Sequence, residues 1–217
     1  MLFFESLLII QTGTACSAPM ILKMIMARRV YIIARQSMTY LQFRIVCYPS
    51  HHGENLMNID DELQALVAQE TELTFHHFNH ATAWELGIAL KNAAEHRQLP
   101  IAIEIQLNGQ TLFYYAMPGA TPDIADWVRR KRNVVNHFQK SSYAVGLRLQ
   151  QRQVTLEERY GLSVRDYAAH GGAFPINLLN VGCVGSISLS GSPQLEDHHL
   201  LVSTLAHFLG LSLPAVH

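Results

Sequence analysis

The chain has 217 residues, a formal net charge of −1 and a mean hydropathy of +0.09. Its 49% of hydrophobic and 15% of charged residues argue against intrinsic disorder, and the balanced charge favours neither nucleic acid nor an acidic membrane surface as a partner. The three widely spaced cysteines, Cys16, Cys47 and Cys183, form neither a disulfide framework nor a zinc motif, which predicts a reducing, cytoplasmic location.

The first 56 residues differ in charge from the rest of the chain. They carry five Lys and Arg residues and two acids, whereas residues 57–217 carry the remaining 11 basic and 15 acidic residues. No apolar run among them reaches the roughly 18 residues of a membrane-spanning helix, and the basic start of a signal peptide is missing. We find no periodic element before Met57. We therefore interpret residues 1–56 as an N-terminal extension, either poorly ordered or translated from upstream sequence with Met57 as the natural start.

Regular patterns begin directly after Met57, in residues 57–217. Acidic residues in the first turn predict a helix over residues 58–70, and Asn79 as a cap predicts a second helix over residues 79–97. A strand is predicted between them, over residues 73–78. Alternating isoleucines predict a strand over residues 101–107, followed by a partner strand over residues 111–116. Helices are then predicted over residues 122–140, 141–152 and 194–209, and strands over residues 173–178 and 184–190.

The dipeptide Asn108-Gly109 between two of these strands is a strong signal for a tight hairpin, which requires antiparallel pairing. It excludes a doubly wound parallel sheet and predicts an α+β fold with an antiparallel sheet of about five strands. The sequence contains no phosphate-binding loop, zinc-protease, α/β-hydrolase or thioredoxin motif. We interpret His76, His77 and His80 as solvated surface residues and assign no metal site, because neighbours on a strand point to opposite sides.

Two ionisable side chains are predicted to point into the protein. Lys131 falls in the centre of the apolar face of the helix over residues 122–140, whereas Arg129 and Arg132 fall on the opposite, solvated side. His198 falls in the middle of the apolar face of the last helix. For Lys131 we weigh a structural ion pair and a place in a ligand site equally. For His198 a satisfied core histidine is the simpler interpretation.

The tripeptide His170-Gly171-Gly172 interrupts a predicted strand, and glycines allow the backbone to approach a ligand closely. If Lys131, His198 and this tripeptide meet in the fold, they line one inward-facing pocket. The alternative is three unrelated local pairings, because buried polar groups are usually satisfied somewhere.

Several segments occur together in an order that is similar to a known family. They are residues 118–123, 127–131, 141–143, 167–176 and 190–198. This part of the chain, residues 60–217, resembles the GlcG/HbpS-like family, in the branch described as haem-degrading domain proteins. Ile124 and Ser192 depart from the usual pattern of that branch. The resemblance implies a profilin-like three-layer α/β/α sandwich around a five-stranded antiparallel sheet, and symmetric homo-oligomers.

An independent feature also predicts a homo-oligomer. Trp84 and Ile88 broaden the apolar face of the second helix beyond the stripe of Leu86 and Leu90. On a monomer such a face would be an exposed apolar patch.

Three functional hypotheses remain open at this point. The first is a small-ligand binding module whose anionic ligand, haem or another tetrapyrrole among the candidates, places carboxylates against Lys131 and Arg130. The second is an enzyme acting on a small acidic metabolite, with His170 or His198 as acid or base. The third is an oligomeric scaffold or adaptor without catalysis. The predicted ligand-binding residues are Lys131, Arg130, His170, Gly171, Gly172 and His198. Catalytic residues are not assigned, and haem enters only through the resemblance, which gives no residue here the role of a haem ligand.

Overall fold

The computed structural model describes residues 58–211 with their side chains and, before them, the backbone of residues 32–37 and 40–45. The chain divides into two units, Met1–Asn55 and Leu56–His217. The interpretation of residues 1–56 as an extension lies mostly outside the described residues and stays a prediction.

The first unit contains a hairpin that the sequence analysis missed. Strand β1 (Ile32–Ser37) pairs antiparallel with β2 (Tyr40–Ile45), and Ser37 lies opposite Tyr40. The expectation that no periodic element precedes Met57 is therefore wrong. The connection between the strands contains no glycine, proline, asparagine or aspartate, so the usual hairpin signal is absent from the sequence.

The second unit consists of helices and strands that follow the predicted order closely. Its helices are α1 (Ile59–Glu72), α2 (His80–His96), α3 (Pro122–Phe138), α4 (Ser142–Gln151), α5 (Leu156–Tyr160) and α6 (Gln194–Phe208). Its strands are β3 (Thr74–Phe75), β4 (Ala102–Leu107), β5 (Gln110–Ala116), β6 (Ala173–Leu178) and β7 (Gly182–Ser190). The strand predicted over residues 73–78 shortens to β3, and α5 has no predicted counterpart. Across the described residues, no helix is both long and apolar enough to cross a membrane.

Local sequence signals account for the boundaries of several elements. The Asn79 side chain caps α2 by accepting a hydrogen bond from the Thr82 backbone N–H at 3.0 Å. Pro122 occupies the first turn of α3, where its missing N–H is not needed. Asn108 and Gly109 both adopt positive φ angles, 49° and 81°, as the tight turn between β4 and β5 requires. The predicted hairpin is thus confirmed.

The strands of this unit form one sheet in the order β3-β6-β7-β4-β5. The pairs β6-β7, β7-β4 and β4-β5 are antiparallel, as predicted. The short edge strand β3 instead pairs in parallel with β6, Thr74 opposite Asn177 and Phe75 opposite Leu178. The prediction of a wholly antiparallel sheet needs this correction, because the partner of β3 lies about a hundred residues further along the chain and no local signal sets its direction.

Alternation along the central strands gives the sheet one apolar and one polar face. Ile103, Ile105 and Leu189 belong to the main core, into which α2 and α6 pack. The intervening residues of β4, Glu104 and Gln106, are also buried and point to the opposite face. Helix α3 covers that face by packing on β7, β6 and β4. The helices therefore lie on both sides of the sheet, and the charged residues of α3 meet its polar side.

Arg132 shows the consequence of this polar face. Its guanidinium contacts the Glu104 carboxylate at 2.7 Å, and only 18% of the Arg132 side chain and 10% of the Glu104 side chain are exposed. The expectation of a solvated Arg132 is wrong because the sheet offers a buried carboxylate beneath the helix, which the sequence of α3 does not reveal.

Candidate functional site

Lys131 lies where its helical position predicts, in the centre of the inward face of α3. Only 2% of the residue is exposed. Its Nζ contacts the Asp197 carboxylate Oδ2 at 2.7 Å and lies 3.4 Å from the Leu189 carbonyl oxygen. The ammonium group is therefore compensated by a buried ion pair. An unpaired charge at this depth would be very costly.

Asp197 receives hydrogen bonds from the loop that precedes its own helix. Its Oδ1 accepts from the Ser192 backbone N–H at 3.0 Å, and the Gly191 N–H also points to the carboxylate. Burial raises the pKa of Asp197 and lowers the pKa of Lys131, because both groups lose water and their mutual attraction offsets this only in part. The sequence analysis missed Asp197, because the helix dipole alone also explains an acid in the first turn of a helix.

Gly171 and Gly172 bring the backbone against this ion pair. Gly172 has φ +117°, and a β-carbon there would lie 2.9 Å from Lys131 Nζ and would clash with the Leu189 carbonyl oxygen. A β-carbon on Gly171 would clash with the Gln194 carbonyl oxygen and lie 3.1 Å from the β-carbon of His198. Only glycine fits at these two positions.

A buried serine fixes the tripeptide in place. The Ser142 hydroxyl donates to the His170 carbonyl oxygen and accepts from the Ala173 N–H, the latter at 3.0 Å. Residues 167–170 are not a strand, so the two glycines precede β6 rather than interrupting a strand as predicted. Ser142 lies in a segment that the family resemblance already included, but its role depends on a contact 28 residues away.

His198 is the second inward-pointing residue and is 1% exposed. Its Nε2 lies 3.1 Å from the Gln69 side-chain oxygen, and its ring packs 5.0 Å from the Tyr143 ring. Burial, and to a smaller extent the neighbouring His199, lower the pKa of His198 to about 3. The imidazole is therefore neutral at physiological pH, as expected for a core histidine.

His170, in contrast, is exposed and stands beside an aromatic ring and a cation. Its ring meets Trp127 edge-on with 5.4 Å between ring centroids, and the Arg130 guanidinium carbon lies 3.9 Å from the Trp127 centroid. Partial burial, then the positive charges of Lys131 and Arg130, lower the pKa of His170. We call Trp127, Arg130 and His170 the surface triad.

Arg130 is also held by other partners. Its Nε lies 2.9 Å from an Asp126 carboxylate oxygen, and a terminal nitrogen donates to the Val164 carbonyl oxygen at 3.3 Å. These contacts fix the guanidinium in its stacked position over Trp127.

The six predicted residues thus fall into two layers. Lys131, Gly171, Gly172 and His198 pack together in the interior, whereas Arg130 and His170 lie above them at the surface. The features adjoin one another, and Lys131 and His198 each have a separate pairing partner. Whether any of them binds a ligand stays a prediction.

The residues of the candidate site line neither of the cavities described next. One of about 480 Å³ lies between α2 and β5, and one of about 180 Å³ adjoins α4. His76, His77 and His80 are exposed, and within the part of the chain that the structure describes no three potential metal ligands come together.

The sequence profile of the family described as "Haem degrading protein HbpS-like" matches residues 78–206, more than half of the chain. The chain belongs to the HbpS-like family. A UPF0303 protein of Serratia proteamaculans (strain 568) is 83% identical over 161 residues, which cover 74% of this chain and 100% of that protein. A UPF0303 protein of Edwardsiella ictaluri (strain 93-146) is 54% identical over 156 residues, covering 72% of this chain and 99% of that protein.

Solved structures that resemble this HbpS-like protein have the same fold. The crystal structure of the Ybr137w protein superposes with a TM-score of 0.65 and 31% identity, covering 68% of this chain and 87% of that one. The crystal structure of HbpS superposes with a TM-score of 0.50 and 22% identity, covering 63% and 93%. The resemblance found in the sequence is confirmed, and with it the profilin-like sandwich.

Proposed function

We propose that this protein is a homo-oligomeric binding protein for a small anionic ligand, with haem or another tetrapyrrole as the ligand class. The observation that carries the proposal is the surface triad, in which an exposed histidine of lowered pKa stands beside a tryptophan and an arginine. The name of the family, which mentions haem, supports the same ligand class. The absence of a disulfide or zinc motif supports a cytoplasmic location as part of this proposal.

The surface triad fits the chemistry of such a ligand. A neutral imidazole is a common ligand of haem iron, and the lowered pKa keeps His170 neutral at pH 7. The Trp127 ring and the Arg130 guanidinium stacked on it place an aromatic group and a cation, the latter shared with Asp126, beside His170. Gly171 and Gly172 allow the backbone beside His170 to lie close to Lys131.

The enzymatic alternative has less support from the geometry. Lys131 and His198 are 2% and 1% exposed and are paired with Asp197 and Gln69. A substrate has no direct access to either group, and a histidine with a pKa of about 3 is a poor proton donor at neutral pH. In this proposal the two residues support the surface triad from below.

Hemin titration of the full chain, followed in the Soret band, tests the proposal. Saturable binding with a shifted Soret band is expected, and His170→Ala should weaken it at least about tenfold because the axial nitrogen is lost. His207→Ala removes another exposed histidine of the same unit and serves as the matched control. A spectrum that stays that of free hemin would remove the haem proposal, and equal binding by both variants would remove His170 from it. Assembly without any ligand binding would favour the scaffold.

The homo-oligomer is proposed to form at the edge of the sheet. Trp84 is 61% exposed and Ile88 36%, and Tyr114 and Tyr115 of the edge strand β5 are 49% and 39% exposed. Together they line the cavity of about 480 Å³, and an exposed apolar surface beside a strand edge that no other described strand pairs with suits a second copy of the chain.

Light scattering at micromolar concentration tests this surface. An oligomer is expected for the natural sequence and a smaller species for Trp84→Glu, whereas Val164→Glu, at a position 62% exposed, should leave the mass unchanged. A monomer mass for the natural sequence would refute the proposed assembly.

A further inference from the structure

The cavity of about 180 Å³ beside α4 carries a concentration of positive charge that the proposed function does not use. Lys140, Arg148 and Arg152 line it, and none of its lining side chains within residues 58–211 is a carboxylate. The cavity therefore presents a local excess of cations on a chain whose overall charge is close to zero.

The two arginines lie at the C-terminal end of α4. Arg148 lies in the last turn of α4 and Arg152 directly follows its end, so the two side chains are four residues apart on one face. Neither forms an ion pair with a carboxylate of residues 58–211, and both are exposed. Like charges at this spacing repel each other, whereas the negative end of the helix dipole favours cations in the last turn.

Lys140 differs from the arginines because it is anchored. Its Nζ lies 3.0 Å from the Glu70 carboxylate, whose other oxygen accepts from the Ser141 N–H at 2.8 Å. The charge of Lys140 is therefore shared, and the cations of the cavity that have no carboxylate partner among residues 58–211 are the two arginines.

The remaining surface of the cavity is apolar and partly aromatic. Val145 and Leu149, 7% and 8% exposed, form its base. The rings of Phe138 and Tyr160 meet edge-on with 4.9 Å between centroids, and Tyr160 keeps 43% of its surface exposed. The cavity thus combines a ring-sized apolar wall with two guanidinium groups that pair with no carboxylate of residues 58–211.

We infer that this cavity binds a small aromatic carboxylate, with its ring against Tyr160 and Leu149 and its carboxylate between Arg148 and Arg152. Guanidinium groups match the planar carboxylate geometry, and the charge-assisted hydrogen bonds they donate are stronger than neutral ones. A volume of about 180 Å³ is below the ~300–1,000 Å³ of sites for drug-sized ligands, so a single ring fits and a tetrapyrrole does not. The site is separate from the surface triad and does not depend on the proposed function.

Calorimetric titration of the full chain with benzoate tests this site, with benzamide as the uncharged probe of similar shape. Saturable binding of benzoate is expected, at least about tenfold stronger than that of benzamide. Arg148→Gln and Arg152→Gln should each weaken benzoate binding about tenfold or more. Arg97→Gln, which removes an exposed cation at the end of α2, should leave it unchanged.

Three results would overturn the inference: no saturable binding of benzoate, equal affinity for benzamide, or unchanged benzoate binding in the Arg148→Gln/Arg152→Gln double variant. The two sites are distinguished by exchanging probes. His170→Ala should leave benzoate binding unaffected, and the arginine variants should leave hemin binding unaffected, so either proposal can fail without the other.

Discussion

Replacing Lys131 with methionine probes how the interior beneath the surface triad is held together. The substitution keeps an unbranched side chain but removes the positive charge that lies 2.7 Å from the carboxylate of Asp197, a residue that is 0% exposed. The carboxylate then keeps only the Ser192 and Gly191 N–H groups as partners. Breaking a buried pair from one side typically costs about 3–5 kcal/mol of unfolding free energy.

Protonation of Asp197 sets an upper limit to this cost. Burial already raises the pKa of Asp197, and removal of Lys131 takes away the largest opposing influence. Bringing a carboxyl group with the ordinary value of 3.8 to its neutral form at pH 7 costs about 4 kcal/mol, at about 1.4 kcal/mol per pKa unit. Between pH 3.8 and pH 7 the Asp197 carboxyl of the folded variant holds a proton that the same group has lost in the unfolded chain. The loss should therefore shrink by up to about 1.4 kcal/mol for each unit of falling pH.

Urea unfolding followed by tryptophan fluorescence at pH 7 and pH 5 measures both effects. Lys91→Met is the matched control, because the Lys91–Glu95 pair at 2.6 Å has a carboxylate that is 60% exposed and should contribute at most about 0.5 kcal/mol. Lys131→Met/Asp197→Asn should recover much of the lost stability, since no buried charge remains. A loss below about 1 kcal/mol for Lys131→Met, or the same loss at both pH values, would refute the structural pairing.

Three further predictions concern the same unit of the chain. The free energy of unfolding should fall below pH 6.5, because His198 has its ordinary pKa of 6.5 in the unfolded chain and a pKa of about 3 in the folded protein. The loss reaches about 3 kcal/mol near pH 4.5. Urea titrations of His198→Gln should therefore show a flatter pH dependence. Gly172→Ala should lower the stability measured by thermal unfolding by about 3 kcal/mol or more, since its β-carbon would clash at φ +117°. Gly161→Ala, which has open space around it, is the control and should cost about 1 kcal/mol. Equal losses would contradict the close approach of the backbone at Gly172. Residues 57–217 alone should be soluble and melt cooperatively, and an aggregated fragment would show that the first unit is needed for folding.

Much of the fold follows from signals that act over a few residues. The apolar spacing of α3 and α6 placed Lys131 and His198 on inward faces, and both are almost completely buried. Asn108-Gly109 set the β4-β5 hairpin. The β1-β2 hairpin was missed because its connection has no such turn residues, and the direction of β3 was missed because its partner is remote in sequence.

The chemistry around those residues depended on contacts between distant parts of the chain. The sequence determined that Lys131 points inwards, but its partner Asp197 lies 66 residues away, and that of His198, Gln69, lies 129 residues away. Periodicity reports which side of an element is buried, because burial repeats with the geometry of the backbone. It carries no information about which residue of another element lies opposite. Only the packing of α3 against β7, which brings Lys131 to Asp197 in the first turn of α6, decided that Lys131 is paired inside the protein, whereas His170 and Arg130 meet Trp127 at its surface.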